Sequence, residues 1–154
     1  MDALFCDTSA IIKRYVSEIG SPWLREKVDP GAGVAVYLAT ISAVEVASAI
    51  TRRQRGGSLP QHEAARFLAQ FRSDLDDEYR TIHLGDSIIA KAMDFAEARA
   101  LRAYDAVQLA AAVELNRWRI AMGKTPIIFL SSDGELNAAA LAVGLNVDDP
   151  NTHP

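Results

Sequence analysis

The chain has 154 residues, of which 49% are hydrophobic and 23% are charged, a composition typical of a globular protein and not of a disordered one. Its apolar runs are about 10 residues long, whereas a membrane-spanning helix needs roughly 20. Its amino terminus lacks the basic segment of a secretory signal. The net charge of −4 argues weakly against a nucleic-acid-binding protein, since such proteins are usually basic.

These properties predict one domain over residues 1–154, with an ordered core to about residue 148 and a short carboxy-terminal tail. The chain has one cysteine, Cys6, which excludes an internal disulfide and a zinc site built from cysteines. A lone cysteine in an apolar segment is expected to be a small core residue and suits a reducing compartment. We therefore expect a cytoplasmic protein without membrane association.

Short apolar segments alternate with amphipathic ones along the chain, which predicts an α/β protein. We expect a mostly parallel sheet of four to five strands with helices on both faces. In chain order, the patterns predict a strand at ALFCD, helices at TSAIIKRYVSE and SPWLREKV, a strand at VAVYLAT, helices at SAVEVASAITRRQR and over residues 60–78, a strand at RTIHL, helices at GDSIIAKAMDFAEARA and AYDAVQLAAAVELNRWRIAMG, a strand at PIIFLSS, a helix at DGELNAAALAVG and an edge strand at LNVDD.

Four acidic residues occupy unusual positions in this pattern. Asp7 and Asp133 each stand between a predicted strand and a predicted helix, where α/β sheets bind their ligands. Glu45 and Asp105 are lone acids near the starts of otherwise apolar helices. If those two helices cross the mouth of the sheet, all four acids face one cleft.

Each acid also has a purely structural interpretation. An aspartate before a helix is often only a cap, and Asp105 would favour the positive end of its helix. The SDGE segment, however, resembles a capping box with Ser132 as the cap and Glu135 three residues later, which would leave Asp133 free. Thr8 or Ser9 could relieve Asp7 in the same way.

Clustered carboxylates without histidine or cysteine select hard cations such as Mg²⁺ or Mn²⁺. Such ions catalyse phosphodiester hydrolysis without a histidine base. Committing four carboxylates to cations would also leave the acidic and basic side chains equal, at 16 each, which weakens the objection from net charge. Five arginines are candidate contacts for the flanking phosphates of such a substrate, Arg14, Arg52, Arg53, Arg55 and Arg102.

The segments FCDTSA, ISAVEV, LRAYDAVQLAAAV and FLSSDGELNAAALAVG resemble, in this order, those of the PIN-domain nucleases, most closely the VapC-like toxins of bacterial toxin–antitoxin pairs. The resemblance implies a three-layer α/β/α fold and Mg²⁺- or Mn²⁺-dependent endoribonuclease activity. It identifies Asp7, Glu45, Asp105 and Asp133 as the catalytic, metal-binding quartet. It also implies supporting positions at Thr8, Ser9, Ser131 and Asn137, a homodimer, and a cognate antitoxin that blocks the cleft.

These observations favour hydrolysis of RNA by water, leaving 5′-phosphate and 3′-hydroxyl ends. Two alternatives stay open, a non-catalytic PIN-like binding module and a nuclease that has no antitoxin. A phosphatase of the haloacid-dehalogenase type is disfavoured, because that chemistry needs a second aspartate where this chain has Ser9.

Overall fold

Helices and strands alternate along residues 1–154, all of which are described by the computed structural model. The five strands predicted from the apolar segments are all present, and each is shorter than its segment. The strands are β1 (Ala3–Cys6), β2 (Ala35–Ala39), β3 (Arg80–Ile82), β4 (Ile128–Leu130) and β5 (Asn146–Asp148). The helices are α1 (Thr8–Ile11), α2 (Ser21–Lys27), α3 (Ile41–Arg55), α4 (Gln61–Asp77), α5 (Asp86–Arg99), α6 (Ala103–Ala121) and α7 (Gly134–Ala142).

All five strands are parallel and form one sheet in the order β3-β2-β1-β4-β5. The chain first builds the sheet outward from β1 on one side and then continues on the other side with β4. Strand order therefore reverses between β1 and β4, which pair from Leu4 opposite Ile128 to Cys6 opposite Leu130. This confirms the predicted α/β class, and it places the reversal directly before Asp7 and Asp133.

The side chains of β1 alternate between two cores, as the two-residue period of a strand requires. Phe5 packs in a core with α5, α6 and α7 on one face of the sheet, where its ring stacks on Phe129 at 5.7 Å. Leu4 and Cys6 pack in a second core with α1 to α4 on the other face. The result is the expected three-layer α/β/α arrangement, with Cys6 fully buried as predicted.

The helix predicted over residues 8–18 is shorter than its pattern. It ends at Ile11 and continues as a 3₁₀ turn, Ile12–Arg14. The Tyr15 hydroxyl then donates a 2.6 Å hydrogen bond to Asp74, a residue of α4 that is 1% exposed. Contacts with α4 thus override the local helical pattern in this segment.

The residues after Asp148, expected to form a tail, pack onto α2. Pro150 is buried, and the His153 ring stacks on Trp23 at 4.1 Å. Gly20, the residue before α2, has φ +82° and lies so close to Pro150 that a Cβ would collide with the Pro150 carbonyl. None of the helices combines the length and the apolar character needed to cross a lipid bilayer.

Candidate metal centre

Asp7 lies at the carboxyl end of the central strand and is 5% exposed. Its backbone N–H donates to the carbonyl of Leu130, which holds the first loop against the end of β4. Its carboxylate accepts hydrogen bonds from Ser9 Oγ at 2.7 Å, from the Ala10 N–H at 3.0 Å and from Ser131 Oγ at 3.0 Å. Asp7 is therefore the cap of α1, and neither Thr8 nor Ser9 replaces it in that role.

Burial raises the pKa of the Asp7 carboxyl to about 7. The three hydrogen bonds favour the ionised form and oppose this rise, while the negative charge of Asp105 adds to it. A buried carboxyl that is half protonated near neutral pH gains from any cation that comes close to it.

Asp133 caps the last helix, contrary to the expectation that Ser132 would do so. One oxygen of Asp133, Oδ1, accepts from the N–H groups of Glu135 at 3.0 Å and Leu136 at 3.1 Å. The Ser132 hydroxyl is buried without a partner. Ser132 instead donates its backbone N–H to Ser9 Oγ at 2.8 Å, which joins the loops after β1 and β4. Asp133 Oδ2 accepts no hydrogen bond.

Glu45 and Asp105 come from the helices on opposite faces of the sheet, and they meet Asp133 in one cleft of about 560 Å³. Residues of α3 and α6 thus line the same cleft. Asp7 does not line this cleft directly, but its neighbour Thr8 does. The lining residues are Thr8, Ile41, Val44, Glu45, Ser48, Ala49, Arg52, Arg102, Tyr104, Asp105 and Asp133.

Asp105 is electrostatically at the centre of the four acids. Its charge raises the pKa of both Asp7 and Glu45, although burial is the larger cause for each. The pKa of Asp105 itself is raised by burial first and then by Asp133, and it is lowered by Arg102. Each of the other three carboxyls therefore repels Asp105 or is repelled by it.

None of these four carboxylates forms an ion pair with a lysine, arginine or histidine. Glu45 Oε1 accepts one hydrogen bond, at 3.2 Å from Gln108 Nε2. Asp105 accepts none. Buried acids are normally compensated by paired cations, whereas here two arginines, Arg52 and Arg102, line the cleft without forming an ion pair with any of the four acids.

The side chains at the cleft offer only oxygen donors, which suits Mg²⁺ or Mn²⁺. Five buried side-chain polar atoms lack a hydrogen bond, and one of them, Thr8 Oγ1, belongs to a residue that lines the cleft. A second, Gln108 Oε1, belongs to the amide whose Nε2 donates to Glu45. Thr8 Oγ1 lies close enough to lower the pKa of Glu45 but not in the geometry of a hydrogen bond. Orphaned polar atoms are rare in folded proteins and commonly mark the place of an ion or water.

No group of three or more acidic, histidine or cysteine side chains is already arranged around one metal position. Mg²⁺ commonly takes one or two carboxylates and completes its shell with water and substrate phosphate. The donor set therefore fits an open, substrate-completed site and does not fit a closed structural cage.

The five candidate RNA-binding arginines separate into three groups. Arg52 and Arg102 line the cleft. Arg55 is exposed near the end of α3 and lies outside the cleft lining. Arg14 is ion-paired with Glu78 at 2.7 Å, and Arg53 is ion-paired with Glu18. The guanidinium groups of Arg14 and Arg53 are thus engaged within the protein, whereas those of Arg52 and Arg102 form no ion pair and face the cleft.

Three further residues belong to this site and were absent from the sequence candidates. Ser48 and Gln108 follow Glu45 and Asp105 by three residues, so helical spacing brings each to the same face as its acid. Tyr104 directly precedes Asp105 and lines the cleft. The three-residue helical spacing could have identified Ser48 and Gln108, but nothing in the sequence distinguishes Tyr104 from a core tyrosine.

The family model that describes the PIN domain matches residues 4–123. No curated protein matches the chain in sequence. Similar solved structures are a toxin–antitoxin complex from Klebsiella pneumoniae (16% identity, TM-score 0.62, 96% of this chain and 97% of that one) and a protein from Pyrobaculum aerophilum (17%, 0.65, 99% and 85%). A third is VapBC2 from Rickettsia felis bound to a promoter DNA fragment (9%, 0.63, 96% and 98%).

The matched segment is most of the chain and contains three of the four acids, so this chain belongs to the PIN-domain family. PIN domains are generally nucleases, and membership supports a nuclease at the level of the family. The similar structures are distant in sequence and establish the shared fold.

Proposed function

We propose that the chain is a Mg²⁺- or Mn²⁺-dependent endoribonuclease and the toxin of a type II toxin–antitoxin pair, acting in the cytoplasm. The main observation behind this proposal is a cleft lined by Glu45, Asp105 and Asp133, with Asp7 buried beside it. None of these acids has an ion-pair partner. The toxin–antitoxin complexes among the similar structures support the partner.

Asp7, Glu45, Asp105 and Asp133 would hold the cation. When bound, the cation supplies Lewis-acid activation of the scissile phosphodiester and of the attacking water. Ser9 and Ser131 fix the Asp7 carboxylate through hydrogen bonds of 2.7 and 3.0 Å. Asn137 donates to the carbonyl of Ser131 at 2.9 Å and so holds the loop that carries the hydroxyl.

Arg52 and Arg102 would bind phosphates on either side of the scissile bond. Both line the cleft without an ion-pair partner. Hydrolysis in line would leave a 5′-phosphate and a 3′-hydroxyl. The chain would act as a homodimer, which light scattering of the purified protein tests independently.

The decisive experiment compares wild type with Asp7→Asn on RNA in matched MgCl₂, MnCl₂ and EDTA buffers. We expect cleavage by wild type only with the divalent cation, and a loss of at least about 100-fold in Asp7→Asn, in line with the removal of a charged group at a reacting centre. Asp76→Asn is the matched control. Asp76 is exposed near the end of α4, just before the amino end of β3, whereas the site lies at the carboxyl ends of the strands.

Equal cleavage by Asp7→Asn and wild type would refute the proposal. A wild-type chain that binds RNA but neither binds Mn²⁺ nor cuts the RNA would instead be a binding module. The toxin assignment has its own test, the growth of bacteria in which the chain is induced. We expect arrest with wild type and normal growth with Asp7→Asn; normal growth with an active wild type would point to a nuclease without an antitoxin.

A further inference from the structure

Tyr104 stands at the mouth of the acidic cleft with an open aromatic face. It lies in the first turn of α6, directly before Asp105, and lines the cleft. The residue is 56% exposed. A large apolar ring therefore faces solvent next to the position where a substrate would react.

The other tyrosines show that this exposure is particular to Tyr104. Of the four in the chain, Tyr15, Tyr37 and Tyr79 are between 5% and 7% exposed, and each hydroxyl forms a hydrogen bond. Tyr104 has neither a hydrogen bond through its hydroxyl nor a stacked ring or cation against its face. No hydrogen bond, stacked ring or cation within the protein therefore engages the Tyr104 side chain.

The surroundings of the ring combine apolar and cationic groups. Ile41 and Val44 of α3 line the same cleft, with Val44 70% exposed, and so do Arg52 and Arg102. Proteins that hold single-stranded nucleic acid combine aromatic faces, on which bases stack, with cations that follow the phosphates. Stacking is also an attraction that the negative charge of the four acids does not oppose.

We propose that Tyr104 stacks an unpaired base of the RNA beside the scissile phosphate, so that the cleft accepts single-stranded RNA and rejects duplex. This inference rests on the proposed function, because it takes RNA as the substrate. In a duplex the base faces are covered by their neighbours and cannot reach the ring. Tyr104 is thus a specificity-determining residue, and its ring, not its hydroxyl, is the group that acts.

The test measures binding in an Asp7→Asn background, so that the RNA stays intact. The probes are a fluorescein-labelled oligouridine, which has no secondary structure, and the same strand paired with oligoadenosine, both read by fluorescence anisotropy in MgCl₂ buffer. Adding Tyr104→Ala is expected to raise the Kd for oligouridine by at least about 5-fold, the lower end of measured base–aromatic stacking. Tyr104→Phe and Tyr104→Trp keep the ring and are expected to keep the Kd.

Trp118→Ala is the matched control, since Trp118 is another exposed aromatic of α6, 48% exposed. It lies about 21 Å along the helix from Tyr104 at the rise of an α-helix, and its removal is expected to leave binding unchanged. A series of oligouridines with one abasic site each then locates the stacked base. At one position the abasic probe should lose affinity in the Tyr104 background, and Tyr104→Ala should cause no further loss.

Four outcomes would overturn the stacking proposal: equal Kd values for Tyr104→Ala and its parent, equal affinity of the parent for single strand and duplex, no RNA binding by the parent, or weakening by Tyr104→Phe as large as by Tyr104→Ala. The first would leave Tyr104 as a contact for a protein. These results are separate from the hydrolysis test. A chain that binds RNA through Tyr104 but does not cut it would refute the nuclease and keep the stacking.

Discussion

Gln108 Nε2 lies 3.2 Å from Glu45 Oε1 and 2.9 Å from Ser42 Oγ. It therefore connects α6 to α3, the helix that packs on the opposite face of the sheet. Gln108 is 2% exposed and lies one helical turn after Asp105. The Gln108 amide therefore holds Glu45 in place from α6, the helix that also carries Asp105. Its hydrogen bond also lowers the pKa of Glu45, against the larger effect of burial.

Replacing Gln108 by Glu should turn this attraction into repulsion. The introduced carboxyl would lie beside Glu45, and both groups would have raised pKa values, so the folded state would bind more protons than the unfolded state. Stability would be least affected at low pH and would fall as the pH rises through neutrality, by about 2–4 kcal/mol at pH 8. Urea unfolding at pH 5 and pH 8 measures the difference.

Gln108→Met is the uncharged control for this change. It should reduce stability by about 1–3 kcal/mol at both pH values, because the Ser42 hydroxyl loses its partner. A loss that is the same at pH 5 and pH 8 in Gln108→Glu would show that the two side chains do not meet.

Asp133 caps α7 and also brings a negative charge to the cleft, and substitutions can separate these two roles. Asp133→Asn keeps an oxygen for the N–H groups of Glu135 and Leu136 but removes the charge, whereas Asp133→Ser keeps a cap with a shorter side chain. Both variants should melt close to wild type and cut RNA poorly. Asp133→Ala should in addition lose about 0.5–2 kcal/mol of stability, through loss of the cap.

Thermal unfolding and RNA cleavage, measured on the same preparations, distinguish these effects. If Asp133→Asn retained full cleavage, Asp133 would be a cap alone. If Asp133→Ala were as stable as wild type, the capping contacts would contribute nothing.

The sequence allowed the class of fold and the presence of the strands to be predicted, because the central strands β1 and β2 are continuous buried apolar runs. It did not give the exact ends of the strands. It was wrong on Ser132 because the SDGE pattern also allows Asp133 to accept the same backbone N–H groups. Only the path of the loop after β4, tied by Ser132 to Ser9, selects between the two.

The sequence did not predict the environment of Arg14 either. Arg14 donates to the Tyr79 hydroxyl at 2.7 Å and pairs with Glu78, near the buried Asp74. Asp74 and Glu78 lie in a segment that is rich in acids, which by itself is typical of a solvated helix end. A pattern of charges along a helix does not indicate which neighbour will approach it from elsewhere in the chain.

Asp7→Asn should stabilise the metal-free protein at high pH. The pKa of Asp7 in the folded state, about 7, is above the 3.8 of an unperturbed aspartate, so the folded state binds more protons between these values. The contribution of Asp7 to stability is therefore fully present below pH 4 and is lost as the pH rises to 7. Without the charge, the variant should gain on the order of 1–3 kcal/mol at pH 8 and much less at pH 5.

Denaturant unfolding in EDTA at pH 5 and pH 8 measures this gain, with Asp76→Asn as the surface control. Ser131 can reverse its hydrogen bond to accept from the new amide, so the packing is kept. A variant that is less stable than wild type at pH 8 would show that the ionised carboxylate is well accommodated and that burial costs it little.

Arg52 and Arg53 are neighbours in sequence with different surroundings. Arg52 lines the cleft, while Arg53 pairs with Glu18 and donates to the carbonyl of Ala49 at 3.2 Å. Arg52→Gln should weaken RNA binding and reduce the slope of log K against log salt by about one, the value for one lost phosphate contact. Arg53→Gln makes the same change of charge and should leave the slope unchanged.

Anisotropy titrations over a range of KCl concentrations give both slopes. Equal slopes for the two variants would mean that long-range charge alone attracts the RNA. The comparison therefore tests whether the cleft positions a phosphate at Arg52.

Divalent cations should stabilise the folded chain, because an ion that binds only the native state adds to the free energy of unfolding. At about 100 times its Kd, Mn²⁺ should add about 2.7 kcal/mol and raise Tm by about 5–10 °C. The rise should be larger at pH 8 than at pH 6, since below a pKa of about 7 the cation must displace the proton of Asp7. Asp7→Asn should reduce the rise, while Asp76→Asn should not, and NaCl at the same ionic strength controls for screening. If Mn²⁺ raised Tm equally in wild type and Asp7→Asn at both pH values, the ion would bind without Asp7, and Asp7 would not be a metal ligand.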